Sequence, residues 1–521
     1  MVIRRLVAPS IDFSALRREL RLPTQFSLAA QREADDVAAR GPRLPSVDRT
    51  DIAFATLDPP TSMDLDQAMC LQRRGTGYRV WYAIADVSAF VAPDGALISD
   101  TWARGQTVYL PDGRVPLHPT VLSEGAASLL PGQVRPAVVW TIDLDADGAT
   151  VDVRVERATV RSRAKLGYPD TQAAVDAGRL DEPVALLPEI GKLLIERGLA
   201  RGAINLPMPA QDVERVDGGW ELVLHAPDPI EDYNAQISLL TGMAAADIML
   251  KGGIGLLRTM PAPPFWAIRR LRRAANSLGV RWPRGTSAGR VIAQVDGGTP
   301  RGAAFLGHAA ELLRGAAYTA MDGATPELHE HGGVAAAYAH VTAPLRRLAD
   351  RYATEACLAL FHGEPVPDWV RVALPKLPGV MAATDHVASA AERGAVDLAE
   401  AVLLESRVGE VFEAAVLDVD EPEHHHKPHH DNHQPHDRQP EQHNQQTQHN
   451  PEPDIQHQRS DGATPAAPPQ PRPPHGVVAL DAPAVRARCE GPGLVPGKRI
   501  PVRLAVADPV LRRVLFETVM R

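Results

Sequence analysis

Cysteine is nearly absent: Cys70, Cys357 and Cys489 are the only three in 521 residues. Three scattered thiols cannot build a disulfide framework or a thiolate metal site, which excludes the disulfide-stabilised secreted class and agrees with a reducing compartment. Long apolar runs are missing too. No window approaches the roughly 18 apolar residues of a membrane span, and the opening MVIRRLVAPSIDF has a basic pair but no apolar core of signal-peptide length. A cytoplasmic protein without membrane attachment is expected. Net positive charge is also lacking. The formal charge of −9 argues against general charge-driven attraction to nucleic acid, while a local basic channel stays compatible, because exposed charges beyond about 10 Å are screened at physiological salt.

The length prior of roughly 100 to 200 residues per domain suggests two to four domains, and no internal repeat is evident. Residues 1–50 read as short amphipathic helices, with Ser27 as N-cap of SLAAQREADDVAAR. From residue 51 the pattern changes to strands. AMCLQRR, the turn GTG and YRVWYAIADVSAFV form a hairpin whose second arm is expected to be half buried. A second hairpin, within 137–162, turns at Asp147-Gly148. Beyond about residue 170 apolar periodicity predicts helices, including all of AQISLLTGMAAADIMLKGGIGLLRT and GAAFLGHAAELLRGAAYTAMD. Strands first and helices later point to an α+β fold.

Residues 421–475 are different material. Eleven of the nineteen histidines lie there, and up to residue 460 Ile455 is the only large apolar side chain. Such a segment cannot bury enough surface to offset chain entropy and is expected to be a disordered insert. Its HHHKPHH cluster could bind Zn²⁺ or Ni²⁺, but lacks fixed geometry, so adventitious affinity is the favoured reading. Strand-like sequence on both sides, 406–420 and 476–521, suggests one small β-barrel interrupted by this loop. The entropy of closing a loop grows only logarithmically with its length.

Two acidic segments compete for chemistry. DLDADG at 143–148 resembles the start of a calcium loop, but Arg154 stands where the closing Glu belongs, so a solvated hairpin turn is expected. LDPPTSMDLDQAM at 57–69 is harder to dismiss. Asp64 and Asp66 project to one side of an extended chain, and Asp58 lies across a loop stiffened by Pro59 and Pro60. The cluster repels itself unless cations or basic groups neutralise it. Its oxygen-only donors suit Mg²⁺, or Mn²⁺ in substitution; the alternative is an acidic, proline-kinked surface loop.

Residues 51–405 resemble the catalytic RNB domain of the bacterial ribonuclease II and ribonuclease R family. The likeness is carried, in order, by TLDPPTSMDLDQA, YAIADVSAFV, RGQTVYLPDGRVPLHPTVLSEGAASLLPG, YAHVTAPLRRLADR and SAAERGAVDLAE. It implies hydrolysis of single-stranded RNA from the 3′ end with divalent metal, releasing nucleoside 5′-monophosphates, and no dinucleotide cofactor. It also implies that Asp58, Asp64 and Asp66 occupy three of the family's four carboxylate positions; of these, Asp66 is expected to be the one activity depends on most, helping to hold metal and attacking water. The fourth position holds Gln67, which can ligate but adds no charge. A second reading therefore stands: a catalytically weakened RNA-binding or regulatory protein on the same fold.

Arg346 and Arg347 are expected near the start of a helix capped by Thr342 with Pro344 in its first turn, a phosphate-binding corner. The bland alternative is an Arg346–Asp350 surface pair. The resemblance assigns Arg346 to the phosphate near the scissile bond, with Arg347 in support. It places Tyr109 against the RNA 3′ end, where the local reading allows a core aromatic, and Glu392 near the substrate, where it allows solvated surface. The arginines of IRRLRR at 268–273 either line an RNA path or form one wet helix face, and Asp86 is read as structural. Family members carry two oligonucleotide-binding barrels before the catalytic domain and one after. Residues 1–50 are too short for one, and the C-terminal strands suffice for a single OB-fold-like barrel.

Overall fold

In the computed structural model, which describes residues 7–419, 474–480 and 483–519, helices and strands mix as α+β, and two closed five-stranded barrels frame the helices. The first barrel is formed by β1 (Phe54–Asp58), β2 (Gln67–Arg74), β3 (Gly77–Ala85), β4 (Val134–Leu144) and β5 (Thr150–Gly167) in that order. It closes by parallel pairing of β1 with β5. Both expected hairpins are present. The second turns where Asp145 Oδ1 accepts from the backbone N–H of Asp147 and Ala149, so the calcium-like segment is a self-capped turn.

One expectation about this barrel needs correction. β3 is buried along nearly its whole length, rather than on one face. Tyr78, Val80, Tyr82 and Ile84 enter one hydrophobic cluster while Ala83 and Ala85 enter another. The period of two persists, but each side meets its own core.

The principal helices are α1 (Pro229–Gly252), α2 (Phe265–Leu278), α3 (Leu348–Phe361) and α4 (Leu377–Leu404). Ser27 caps the helix Leu28–Arg40 as expected, its Oγ accepting from Ala30 N. Two helical expectations run too far. α1 ends at Gly252 because Gly253, at φ +70°, supplies the left-handed C-cap, and Ile254–Thr259 continues as a strand. Likewise the helix Pro300–Ala310 gives way to a strand at Ala317–Asp322. These two tails pair with each other, Leu256 opposite Ala320.

The second barrel contains β6 (Val411–Val419), β7 (His475–Leu480), β8 (Arg486–Glu490), β9 (Arg499–Asp508) and β10 (Arg513–Thr518). Its order is β6-β7-β8-β10-β9, closed between β6 and β9. Strands from both sides of residues 421–475 thus share one barrel, and β7 starts at His475, inside the interval assigned to the insert. The remainder of that insert, with its histidine clusters, lies outside the described residues. Among the described residues no helix is long and apolar enough to cross a membrane.

Candidate active site

Asp58 is the last residue of β1, and Pro59-Pro60 turns the chain away from the barrel. The returning limb is pinned by Ser128, whose Oγ donates to Met63 O at 2.6 Å and accepts from Leu65 N at 3.0 Å. Leu65 is thereby driven into the core. In an extended chain its neighbours must face the other way, and Asp64 and Asp66 do, lining with Asp58 and Gln67 a cavity of about 710 Å³. The expected juxtaposition of the three carboxylates is thus present.

Opposite this loop, the segment before α3 pairs with residues 105–107. Thr107 N donates to Arg346 O and Leu348 N to Gly105 O, both at 2.9 Å. The pairing puts Tyr109 and Arg346 into the same cavity. Tyr109 is 48% exposed, which rules out the core-aromatic reading, and its Oη donates to Asp64 Oδ2 at 3.3 Å. Arg346 Nε stands 3.7 Å from Asp66 Oδ2.

The charge in this cavity is only partly balanced. Asp58 Oδ2 is buried without a hydrogen-bond partner, and burial, with repulsion from Asp64 second, pushes the Asp58 carboxyl up to about 6. Burial also holds Asp66 well above the usual carboxylate range, although Arg346 and the backbone N–H of Leu345, 2.7 Å from Oδ1, pull it back. Asp64 is satisfied by Arg114 Nη1 at 2.7 Å. The buried, partly unpartnered carboxylate oxygens are donors of the type that suits Mg²⁺. Among the described residues, however, no group of three or more His, Cys, Asp or Glu side chains stands ready-made for a metal; Asp64 is turned toward Arg114.

Gln67 is engaged at both ends of its amide. Nε2 donates to Thr342 O, and Oε1 accepts from Tyr82 Oη at 3.2 Å. It ties the barrel to the segment that carries Arg346.

The helix start differs from expectation. α3 begins at Leu348, so Thr342 and Pro344 belong to the preceding turn and Arg347 is the N-terminal flanking residue. Asp350 pairs with Arg347 rather than Arg346: Nε–Oδ1 and Nη2–Oδ2 are both 2.9 Å. Asp350 also accepts from Ala343 N at 2.7 Å. The clamp leaves Arg346 free to face the cavity and makes Arg347 its anchor, although Arg347 also contributes to the wall. Glu392 is not brought to the carboxylates. It lines a neighbouring cavity of about 500 Å³ that shares only Tyr109 with the first. Asp86 is structural, accepting from Arg157 Nε at 2.8 Å.

Sequence reasoning missed Arg114, Tyr168, Asn234 and Tyr338. Arg114 lies in the matched segment DGRVPLHP, yet its tie to Asp64 bridges residues 50 apart and has no local signal. Asn234, buried on α1, donates to Tyr168 Oη at 3.0 Å across 66 residues of chain, and such a contact has no local signal.

A family model described as the RNB domain matches residues 47–360, and one described as the RNase II-type exonuclease C-terminal S1 domain matches residues 469–519. The chain is 25% identical over 338 residues to the exosome complex exonuclease dis3 of Schizosaccharomyces pombe, covering 61% of this chain and 34% of that protein. It spans about a third of the length of such curated relatives. Mycoplasma genitalium RNase R, solved in complex with ribose methylated single-stranded RNA, superposes with a TM-score of 0.77 at 17% identity, covering 97% of this chain and 77% of that one. Yeast Ssd1, a pseudonuclease, superposes at 0.60 with 14% identity over 73% and 49% of the two chains. At those identities the two structures speak for the fold alone. The RNB match spans more than half of the chain and includes the acidic loop, Tyr109 and Arg346, and on that match the chain belongs to the RNB-domain family.

Proposed function

We propose that this protein is a cytoplasmic, Mg²⁺-dependent 3′–5′ exoribonuclease that hydrolyses single-stranded RNA to nucleoside 5′-monophosphates. The observation that carries the reading is the wall of Asp58, Asp64 and Asp66 facing Arg346 and an exposed Tyr109 across one cavity. Asp58, Asp64 and Asp66 would hold the cation, with the Gln67 carbonyl at the edge of the set. When bound, it supplies Lewis acidity that activates water and neutralises phosphate charge.

The chain's own groups do the rest. Arg346 binds and orients the phosphate through a guanidinium fork. Asp66, its Oδ1 held by Leu345 N–H, has Oδ2 on the cavity side to position the attacking water and take its proton. Tyr109 offers a face on which a terminal base stacks without its identity being read. Arg114 fixes the orientation of Asp64. Arg347 supports Arg346 through Asp350, and Glu392 is assigned to RNA further from the reacting end.

A second reading, a weakened RNA binder, is favoured by Gln67, which brings no charge to the set and whose amide already bonds Tyr82 and Thr342. One assay separates the two. RNA labelled at its 5′ end is incubated with protein and Mg²⁺, with and without EDTA, beside the Asp66→Asn variant. A metal-dependent ladder shortening from the 3′ end, abolished in the variant while RNA binding survives, is expected. Intact RNA in a shifted complex would leave only the binder, and full turnover by Asp66→Asn would remove Asp66 from catalysis.

A further inference from the structure

Although the chain carries net charge −9, it has no aspartate or glutamate from Lys251 through Arg290, and arginine recurs eight times in that stretch, Arg290 included. α2 is the centre of this stretch. Its buried residues Ala267, Leu271, Ala275 and Leu278 form one stripe packed into a separate hydrophobic cluster. The 3.6-residue period therefore sends Arg269, Arg270, Arg272 and Arg273 to solvent, and all four are exposed. The wet-face reading of these arginines is correct as far as burial goes, but it leaves their charge unexplained.

Ordinary surface arginines find carboxylates. Of the four arginines on α2, only Arg270 does among the described residues, with Glu311. Arg269 and Arg272 stand over aromatic rings, Phe265 at 5.8 Å and Trp282 at 5.1 Å. Arg273 has no acidic partner among the described residues. The first turn of the same helix exposes two large aromatics, Phe265 at 76% and Trp266 at 64%. An exposed aromatic pair beside unneutralised guanidinium groups combines the two elements by which single strands are held without sequence preference: base stacking and backbone charge.

The position of the helix supports the same occupant. Its last turn abuts the second barrel, where a Cβ on Gly497 would come within 2.7 Å of Leu278 and 3.0 Å of Arg301. Arg301 and Lys498 are both exposed at this corner and extend the positive surface onto the loop between β8 and β9. That barrel is the part matched by the S1-domain model.

We propose that the outer face of α2, through Phe265, Trp266, Arg269, Arg272 and Arg273, is a docking surface for single-stranded RNA, continuous with the second barrel and separate from the catalytic cavity. The proposal rests on the RNA-directed reading of the cavity. It gives a chain with a single C-terminal barrel a second anchoring surface for long substrate.

The test measures RNA binding by fluorescence anisotropy in EDTA, so that hydrolysis plays no part. The full-length protein is compared with Arg269→Gln/Arg272→Gln/Arg273→Gln and with Phe265→Ser/Trp266→Ser. None of these changes touches the buried stripe, and circular dichroism checks folding. For an RNA of about 30 nucleotides the arginine variant should bind about tenfold more weakly, and its log K against log salt slope should flatten by about 2, from three lost phosphate contacts at about 0.7 each. An RNA of about 6 nucleotides should lose less than about twofold, because it offers too few phosphates to engage cavity and helix together. The aromatic variant should weaken RNA but not poly-glutamate of matched charge. Unchanged affinity and slope for the long RNA would overturn the proposal, as would equal losses for RNA and poly-glutamate in the aromatic variant, which would assign the face to an acidic protein. Absence of hydrolysis with the helix effects intact would instead sink the exonuclease reading and leave this surface standing.

Discussion

Gln67 shows how one residue can be read as a deficit and turn out to be a connection. It occupies the position where the family resemblance implies a fourth carboxylate, yet its amide joins Tyr82 of β3 to the carbonyl of Thr342. A carboxylate there loses the donor and sets negative charge toward that carbonyl. Leaving one partner of such a bond unsatisfied costs about 1–3 kcal/mol. Gln67→Asp is therefore expected to unfold at lower temperature than the parent in EDTA. Because position 67 lines the same cavity as Asp58, Asp64 and Asp66, Mg²⁺ should restore more stability to the variant than to the parent. Calorimetry with and without Mg²⁺ decides this, and equal responses would remove position 67 from any cation site.

At the scale of the element, the start of α3 decides what Arg346 and Arg347 each do. Asp350 is fully buried and accepts from Ala343 N and from the Arg347 fork. Burying that carboxylate is tolerable only because all its partners are present; removing it leaves a guanidinium without its counter-charge, a loss of about 3–5 kcal/mol. Asp350→Ala should show that loss in urea unfolding. The same variant should weaken RNA binding, since the turn that carries Arg346 is no longer held; a stability loss with unchanged RNA affinity would make the clamp purely structural. Elements also show where periodicity misleads. Ile254–Thr259 and Ala317–Asp322 are apolar continuations of helical sequence, and they become strands because each supplies the other's missing hydrogen-bond partner.

At the scale of the molecule, Glu400 is where three parts meet. Its Oε1 on α4 accepts from Gln211 Nε2, on the strand Ala210–Val216, and from Arg486 N of the second barrel, both at 2.7 Å. Burial pushes its carboxyl up to about 7. A carboxyl whose folded value is raised binds its proton more tightly in the native state, so its stabilising effect is complete below the ordinary value near 4.5 and is lost as pH rises through about 7. Asp58, pushed up to about 6, acts with the same sign, which makes the difference between parent and variant the useful quantity. Glu400→Gln should be more stable than the parent at pH 8, by about 1–3 kcal/mol, with the advantage vanishing near pH 4.5. A constant difference across that range, measured by denaturant unfolding, would show that Glu400 does not titrate on folding.

The local part of this architecture was legible in residue order. The two hairpins, the capped helix at Ser27, the strands on either side of the insert and the common side of Asp64 and Asp66 follow from periodicity, turn chemistry and a stiff proline pair, all of which act within a few residues. The resemblance in ordered motifs pointed to the family. What the tertiary structure alone decided were the pairings between distant positions. It turned Asp64 to Arg114, bound Arg347 instead of Arg346 to Asp350, consumed the Gln67 amide, and put Glu392 in the neighbouring cavity. The physical reason is that a buried charge or amide takes whichever partner the packed barrel and helices bring within about 3 Å, and that choice leaves no periodic trace in the chain.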